Sequence, residues 1–502
     1  MQSPDTPMVP LADYQKLESE VASLKHRIAE LQRMLFGVKS ERFVPKVDPA
    51  QLQLELEGLE EVVEAHKTMV AAHERRARGE EDKKHPGRLP IPAHLEREEE
   101  VIEPEEDTTD MQHIGDEVTE TLEYTPGKLW VRRIVRPKYA RKDAAEGQSP
   151  IIVAPMPDQA FPRLKAGVSL LVWLVISKFV EHLPLYRLAQ ILGRQGIKIP
   201  DSTMGEWVKV AIEQLEVLYA AYKRLLLQST YLQMDETRLQ VLEESAKGKP
   251  HLGYIWAVYD PVNRLPFYTY LPGRSHHGPK KLLEPFVGYL QSDGYSVYEL
   301  LNREMPGITL LNCWAHARRE FVKAKDNDPQ RAEFALRCIQ LLYKVEEEAR
   351  NQQLSPEERL ALRQEKSRPV WEELFAWMRI ELEKTLPKSP IGGAIAYALK
   401  RRKNLEHFLL DGRLEIDNNL VENAIRPIAV GRKNYLFAGS HEAAQRTAMI
   451  YTLVNACRQH HIDPYIWLQD VLSRIHRQPV NRIEELLPQN WTPPAKPEKQ
   501  AD

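Results

Sequence analysis

From Tyr14 onward, apolar residues return at alternating intervals of three and four: Tyr14, Leu17, Val21, Leu24, Ile28, Leu31 and Leu35. Val21 and Ile28 fall at one core position, and Leu17, Leu24 and Leu31 at the other. β-branched residues at the first position and Leu at the second favour a parallel two-stranded coiled coil. A dimerising coiled coil is expected over 11–45. An amphipathic helix packed on its own domain would carry the same stripe. Residues 46–94 read as a charged helical segment that runs into a Pro-rich linker, HPGRLPIPAH. Over 95–150 a small β region is expected, with short strands across 113–141 and a turn at Pro126-Gly127.

Residues 160–228 return to a helical period. The stretch LPLYRLAQILGRQGIKIPDSTMGEWVKVAIEQL predicts a helix, a turn at Gly196 and a second helix with Ser202 as its N-cap. Two short helices joined this way match a helix-turn-helix as well as a plain helical hairpin. Ser202, Thr203 and Lys209 on the second helix are the candidate DNA contacts.

The period changes again after Ser229. TYLQMDETRLQVL, GYIWAVYD and PFYTYLP predict three meandering strands, with a turn at Pro261 to Asn263. GPKKLLEPFVGYL reads as a short helix and LQSDGYSVY as a strand ending in a Gly turn. GITLLNCWAHARREF reads as a strand entering a basic helix. Together they predict a mixed α/β sheet over 229–326. A helical block follows over 327–405, with a capping box at Ser355, Pro356 and Glu358. The core then resumes over 406–440, ahead of C-terminal helices over 441–480 and a tail over 481–502.

The 502 residues suit about three domains. The net charge of −3 conceals local asymmetry, since residues 96–107 are acidic and 128–142 basic. Arg132, Arg133, Arg136 and Lys138 form a candidate phosphate-facing strand, with a solvated edge as the other reading. Cys313, Cys338 and Cys457 make neither a CxxC pair nor a disulfide framework, which argues for a reducing interior and against structural zinc. The most apolar run, 166–176, is shorter than the roughly 20 residues a membrane helix needs. No apolar signal-peptide core precedes it, so a cytoplasmic protein is expected.

Asp235 in QMDET and Asp293 in LQSDGY stand at the ends of buried-looking strands, where an ionised carboxylate needs a partner or a metal. In EIDNNLVENAIRP, helical spacing sets Asn418, Glu422 and Arg426 on one face, with Asn419 and Asn423 beside them. Three carboxylates without Cys or a His cluster suit two Mg²⁺ or Mn²⁺ ions and phosphoryl transfer. His316, Arg318 and Arg319 in CWAHARREF, and Arg426, Arg432 and Lys433 around the Glu422 helix, are candidate contacts to scissile DNA and phosphates. Trp314 reads as core, and His276 and His277 as loop residues.

The chain resembles the IS66 family of insertion-sequence transposases. The resemblance rests on LFGVKSERF, HIGDEVTETLEYTPG, VRPKYA, HLPLYRLAQIL, MDET, LQSDGYSVY, CWAHARREF, IDNNLVENAIRP, GRKNYLFAGS and DPYIWLQDVL, in that order from about residue 35 to 475. It implies an α/β multidomain protein with a ribonuclease-H-like core. A helical insertion would interrupt that core, and a coiled coil, a small β region and a helical DNA-binding region would precede it. Asp235, Asp293 and Glu422 would form its DDE triad. It further implies binding to terminal inverted repeats and target DNA, cleavage and strand joining, a nucleoid-associated location in bacteria, and two accessory proteins of the same element. The family's Cys-based zinc region has no counterpart before VRPKYA here, so no zinc is expected. A nuclease without strand transfer and a non-catalytic DNA-binding regulator are the rival functions.

Overall fold

A computed structural model describes residues 127, 129–135, 138–140, 151–153, 158–162, 164–242 and 250–493. The expected coiled coil over 11–45, the segment 46–94, most of 95–150, Arg136 and the residues from 494 lie outside the described residues. The described residues fall in two compact units, divided between residues 156 and 157.

In the first unit, β1 (Lys138–Ala140) pairs antiparallel with β2 (Ile151–Val153). Residues 131–135 are exposed and form no strand. Of the strands expected over 113–141, the described residues contain β1 alone, and its partner lies beyond the expected boundary at 150. An alternating run becomes a strand only where a second main chain accepts its hydrogen bonds, and here that chain is 151–153.

The second unit begins with four helices: α1 (Val168–Phe179), α2 (Leu185–Arg194), α3 (Asp201–Glu213) and α4 (Glu216–Leu226). Leu171, Val172, Leu174 and Val175 are all buried, so α1 is a core helix. Gly196, at φ +79°, turns the chain between α2 and α3. The N-cap of α3 is Pro200 and not Ser202, which lies in the first turn with its N–H donated to Asp201 Oδ1 at 2.9 Å. Proline's fixed φ already suits the step into a helix, which moves the start two residues upstream.

The sheet is built from β3 (Tyr231–Val241), β4 (His251–Asp260), β5 (Leu265–Leu271), β6 (Gly288–Ser292) and β7 (Ile308–Asn312), in the order β5-β4-β3-β6-β7. β5, β4 and β3 run antiparallel, whereas β6 and β7 are parallel to β3. Ile255 to Tyr259 on β4 are buried at every position, as in a strand covered on both faces. Between the strands lie α5 (His277–Leu283), α6 (Ser296–Glu304) and α7 (Trp314–Ala324). Two expectations change here. His276 and His277 open α5. Ser296 onward is helix and not the end of a strand, because Val297, Tyr298 and Leu301 are buried at helical spacing.

The helical block consists of α8 (Pro329–Asn351), α9 (Pro356–Leu362), a π turn (Arg363–Ser367), α10 (Arg368–Leu382), α11 (Pro390–Lys400) and α12 (Arg402–Glu406). The capping box at Ser355 and Glu358 is present. Trp314 and Phe321 of α7 pack into one core with Trp371, Phe375 and Ile395 of this block. Trp314 Nε1 donates to the Leu405 carbonyl at 2.9 Å.

The chain returns to the sheet as α13 (Asn419–Tyr435) and β8 (Phe437–Ala438), which pairs with the far end of β3. α13 packs on β3 and β4, and α14 (His441–Gln459) on β5. α15 (Pro464–Arg474) follows. The tail expected from 481 is instead folded as far as Trp491. Leu486 and Leu487 are buried, Trp467 Nε1 donates to Leu486 O at 3.0 Å, and Trp491 Nε1 donates to Asp470 Oδ2 at 2.7 Å. Two tryptophan donors and a Leu pair outweigh the Pro-rich composition. No described helix is long and apolar enough to cross a membrane.

Candidate active site

Asp235 lies in the middle of β3 and Asp293 directly follows β6. In the parallel pairing of these strands Gln233 stands opposite Gln291. Side chains two residues apart share a face, so Asp235 and Asp293 continue the face that carries the two glutamines. The Asp235 carboxylate accepts the Glu236 N–H at 2.8 Å. Asp293 Oδ1 accepts the Tyr295 N–H at 2.9 Å, and Asn312 Nδ2 holds the Asp293 carbonyl at 2.9 Å.

Glu422 occupies the first turn of α13, where the helix dipole favours negative charge. Its Oε1 lies 3.8 Å from His316 Nε2 at the start of α7. The expected face of Asn418, Glu422 and Arg426 is graded in depth: Asn418 is the buried N-cap, Glu422 half-buried and Arg426 exposed. Asp417, just outside the helix, accepts from Asn419 N at 3.1 Å, Asn419 Nδ2 at 2.7 Å and the Tyr343 hydroxyl at 2.8 Å.

Dense packing, then the neighbouring Glu236 charge, pushes the Asp235 pKa up to about 8, against the Glu236 N–H hydrogen bond. The charges of Glu422 and Asp293 raise it further. These two carboxylates come from an adjacent strand end and from a helix beyond the helical block, and both act on Asp235. Among the described residues, no three His, Cys, Asp or Glu side chains are arranged to hold a metal ion as they stand. The donor chemistry nevertheless fits a hard divalent cation: the three groups offer only carboxylate oxygen, and the charges of Glu236, Glu422 and Asp293 all act on Asp235.

Glu236 was not singled out from the sequence. Its side chain is 3% exposed, accepts from Arg274 Nε at 2.7 Å and from the Tyr298 hydroxyl at 2.9 Å, and borders the same acidic centre. Arg274 in turn lies 3.8 Å over the Tyr295 ring. Gln233, Gln291 and Tyr231 lie within the predicted strands, and all three are buried. The alternation of the strand was legible, but an amide inside a central strand was the signal to follow.

The candidate phosphate contacts lie on several different elements. Arg318 and Arg319 are half-buried on α7, and Arg426 and Lys433 are exposed on α13. Arg432 Nη1 donates to Thr237 Oγ1 at 2.8 Å and to the Arg238 carbonyl at 2.6 Å, which ties α13 to β3. Ser202 is exposed on α3, Thr203 is half-buried beside it, and Lys209 pairs with Glu206 at 2.9 Å. Arg132 and Arg133 are exposed, and Lys138 opens β1. The three cysteines are buried and free.

Comparison with known proteins assigns the family. Residues 163–446 match the model described as Transposase IS66 family, and residues 452–489 match the IS66 C-terminal element. Residues 23–99 match the model described as Transposase C of IS166 homeodomain. Three proteins of Sinorhizobium fredii (strain NBRC 101917 / NGR234) are similar along nearly the whole chain. The uncharacterized protein y4hP is 34% identical, covering 94% of this chain and 89% of its own length. The uncharacterized protein y4qI is 35% identical, covering 95% and 90%, and the uncharacterized protein y4jD is 32% identical, covering 95% and 96%. No solved structure matches. The match through 163–446, which spans more than half of the chain and the whole mixed α/β sheet, shows that the chain belongs to the IS66 transposase family.

Proposed function

We propose that this chain cuts DNA at the ends of its own insertion sequence and joins the 3′-hydroxyls to target DNA, with Asp235, Asp293 and Glu422 as the acidic triad. The observation that carries the proposal is geometric: Asp235 lies on β3, Asp293 follows the adjacent parallel β6, and Glu422 opens the helix packed on β3 and β4. Three antiparallel strands followed by two parallel ones support a ribonuclease-H-like core. The helical insertion lies between the second aspartate and the glutamate.

Two Mg²⁺ or Mn²⁺ ions, when bound, supply polarisation of the attacking water or 3′-hydroxyl and charge stabilisation at the leaving oxygen. The chain's own groups bind and orient. Asp235, Asp293 and Glu422 hold the ions. His316, beside Glu422, meets the scissile strand. Arg318, Arg319, Arg426 and Lys433 engage flanking phosphates, since guanidinium matches phosphate with paired hydrogen bonds. Arg132, Arg133, Arg136 and Lys138, with Ser202, Thr203 and Lys209, contact the element ends. The 11–45 coiled coil pairs two copies so that both ends are held together, and accessory proteins of the element join the complex.

The test uses the full chain and duplexes copied from the two ends of the element that encodes it. Alanine at Asp235, Asp293 or Glu422 abolishes cleavage and joining while end binding persists. An active triple-alanine variant overturns the assignment. A precut end that is never joined reduces the activity to that of a nuclease.

A further inference from the structure

We infer that Gln233 is a positioning residue: its buried amide sets the Glu422 helix in register with the two aspartate-bearing strands. The inference rests on the functional reading above and names the device that makes the three carboxylates converge.

Gln233 is fully buried on β3, two residues before Asp235, and faces Gln291 on β6, two residues before Asp293. Its Nε2 donates to Gln291 Oε1 at 2.8 Å and to the Asp417 carbonyl at 3.0 Å, and lies 3.1 Å from the Tyr231 hydroxyl. Its Oε1 accepts the Val421 N–H at 3.2 Å. Gln291 Nε2 donates to the Glu415 carbonyl at 2.8 Å, and the Tyr231 hydroxyl accepts the Glu415 N–H at 3.1 Å. Tyr231 also donates to Gln291 Oε1.

Three side chains on the sheet thus satisfy four main-chain groups of the segment 415–421, and the residue after that segment is Glu422. A buried loop needs partners for its main chain, and any fold must provide some. Here the partners come from the same strand faces as Asp235 and Asp293, and an amide uses both its donor and its acceptor to span two strands and a helix. Removing one member leaves buried groups unsatisfied, so the arrangement tolerates one register only. An uncharged amide also fixes the helix without competing with the carboxylates for a cation.

The test is a double-mutant cycle in the full chain, with binding of Mn²⁺ alone read by calorimetry. The variants are Gln233→Met, Glu422→Gln and the pair. Gln233→Met is expected to weaken Mn²⁺ binding by about tenfold or more, as loss of a group that orients a ligand does. In the Glu422→Gln background it is expected to add less than about twofold, because it acts through Glu422. On element-end duplexes it lowers kcat and leaves KM within about twofold. If Gln233→Met does not fold, Tyr231→Phe enters the same cycle, since it removes one hydroxyl and keeps the ring. A merely structural role would lower the melting temperature and leave Mn²⁺ affinity unchanged, or give losses additive with Glu422→Gln. Either result overturns the inference while the triad stands. Unchanged Mn²⁺ affinity in Glu422→Gln itself overturns the triad and the inference together.

Discussion

His316 Nε2 stands 3.8 Å from Glu422 Oε1, joining the helix that leaves β7 to the helix that returns from the insertion. Both side chains are partly exposed, at 18% and 31%, so the pair can be reached from solvent. His316→Ala is expected to lower the cleavage rate at saturating DNA by about tenfold or more, the scale of a lost orienting or proton-handling group. The melting temperature should move little, because the pair is not in the core. Single-turnover cleavage of an end duplex is the measurement, and an unchanged rate removes His316 from the site.

Asp235 supplies a pH prediction. Its folded pKa, pushed up to about 8 by burial and neighbouring carboxylates, exceeds the ordinary 3.8. The folded chain therefore holds this proton more tightly than the unfolded chain does. The resulting stability is complete below about pH 4 and is lost as pH rises toward 8. Asp235→Asn escapes that loss. In EDTA it should unfold at a higher urea concentration than the parent at pH 8 to 9, by a margin on the order of a few kcal/mol, with the difference vanishing near pH 4. Mn²⁺ should narrow the gap at pH 8 by stabilising the parent alone. Equal pH profiles for the two proteins would contradict the charged environment described for Asp235.

Glu236 and Arg274 give a test of the neighbouring carboxylate. Burial raises the Glu236 pKa, and Arg274 pulls in the opposite direction. Arg274→Met leaves a carboxylate 3% exposed without its cation. The expected loss is about 1–3 kcal/mol at neutral pH, on the low side because Arg274 is itself 37% exposed. That loss should shrink as pH falls and Glu236 takes up a proton, and Glu236→Gln in the same chain should recover most of it. Urea unfolding at pH 5 and pH 8 distinguishes this from simple loss of packing over Tyr295, which would not depend on pH.

How much of this was legible in the sequence depends on how local the cause is. β3, β4 and β5 follow from alternation and aromatic content, and the capping box at Ser355 from residues three apart. Asp235 and Asp293 stood out as carboxylates beside apolar strand residues, and Glu422 through its helical spacing with Asn418 and Arg426. Ser296 to Tyr298 looked like strand because Val297 and Tyr298 favour strands, but Leu301 completes a helical stripe that packs inward. The Pro-rich C-terminus looked like a tail because its anchors, Trp467 and Asp470, lie upstream on another helix. Gln233 and Gln291 are polar residues inside strands that read as buried, and both are themselves buried. Beyond each other and Tyr231, their partners are main-chain groups of 415–421, which returns from across the insertion, and no local pattern encodes that return.

The insertion also reaches that segment through a buried ion pair. Arg363 and Glu346 are both 0% exposed and bond twice, from Nε at 2.7 Å and from Nη2 at 2.8 Å. Burial works against the Glu346 charge, but Arg363 and Arg359 hold its pKa below the ordinary 4.5. Arg363 also donates to the carbonyls of Phe408 at 2.6 Å, Asp411 at 3.0 Å and Leu414 at 2.8 Å, and Arg359 pairs with Glu415 at 3.0 Å. Arg363→Met therefore leaves the buried Glu346 carboxylate to Arg359 alone, whose Nε donates to it at 2.9 Å, and frees three carbonyls of the chain leading to Glu422. A loss of about 3–5 kcal/mol is expected in urea unfolding at pH 7. Because the Glu346 pKa is depressed, its share of stability is present above pH 4.5 and disappears as pH falls through the folded value, so the gap between parent and variant should narrow in acid to the share of the three carbonyl bonds. Glu346→Gln added to Arg363→Met should restore part of the stability by removing a buried charge that has lost one of its two cations. It should not restore DNA cleavage, because the three carbonyls still lack their donor and the path to Glu422 stays loose. A double variant as active as the parent would show that the insertion steadies the fold without setting the position of the glutamate.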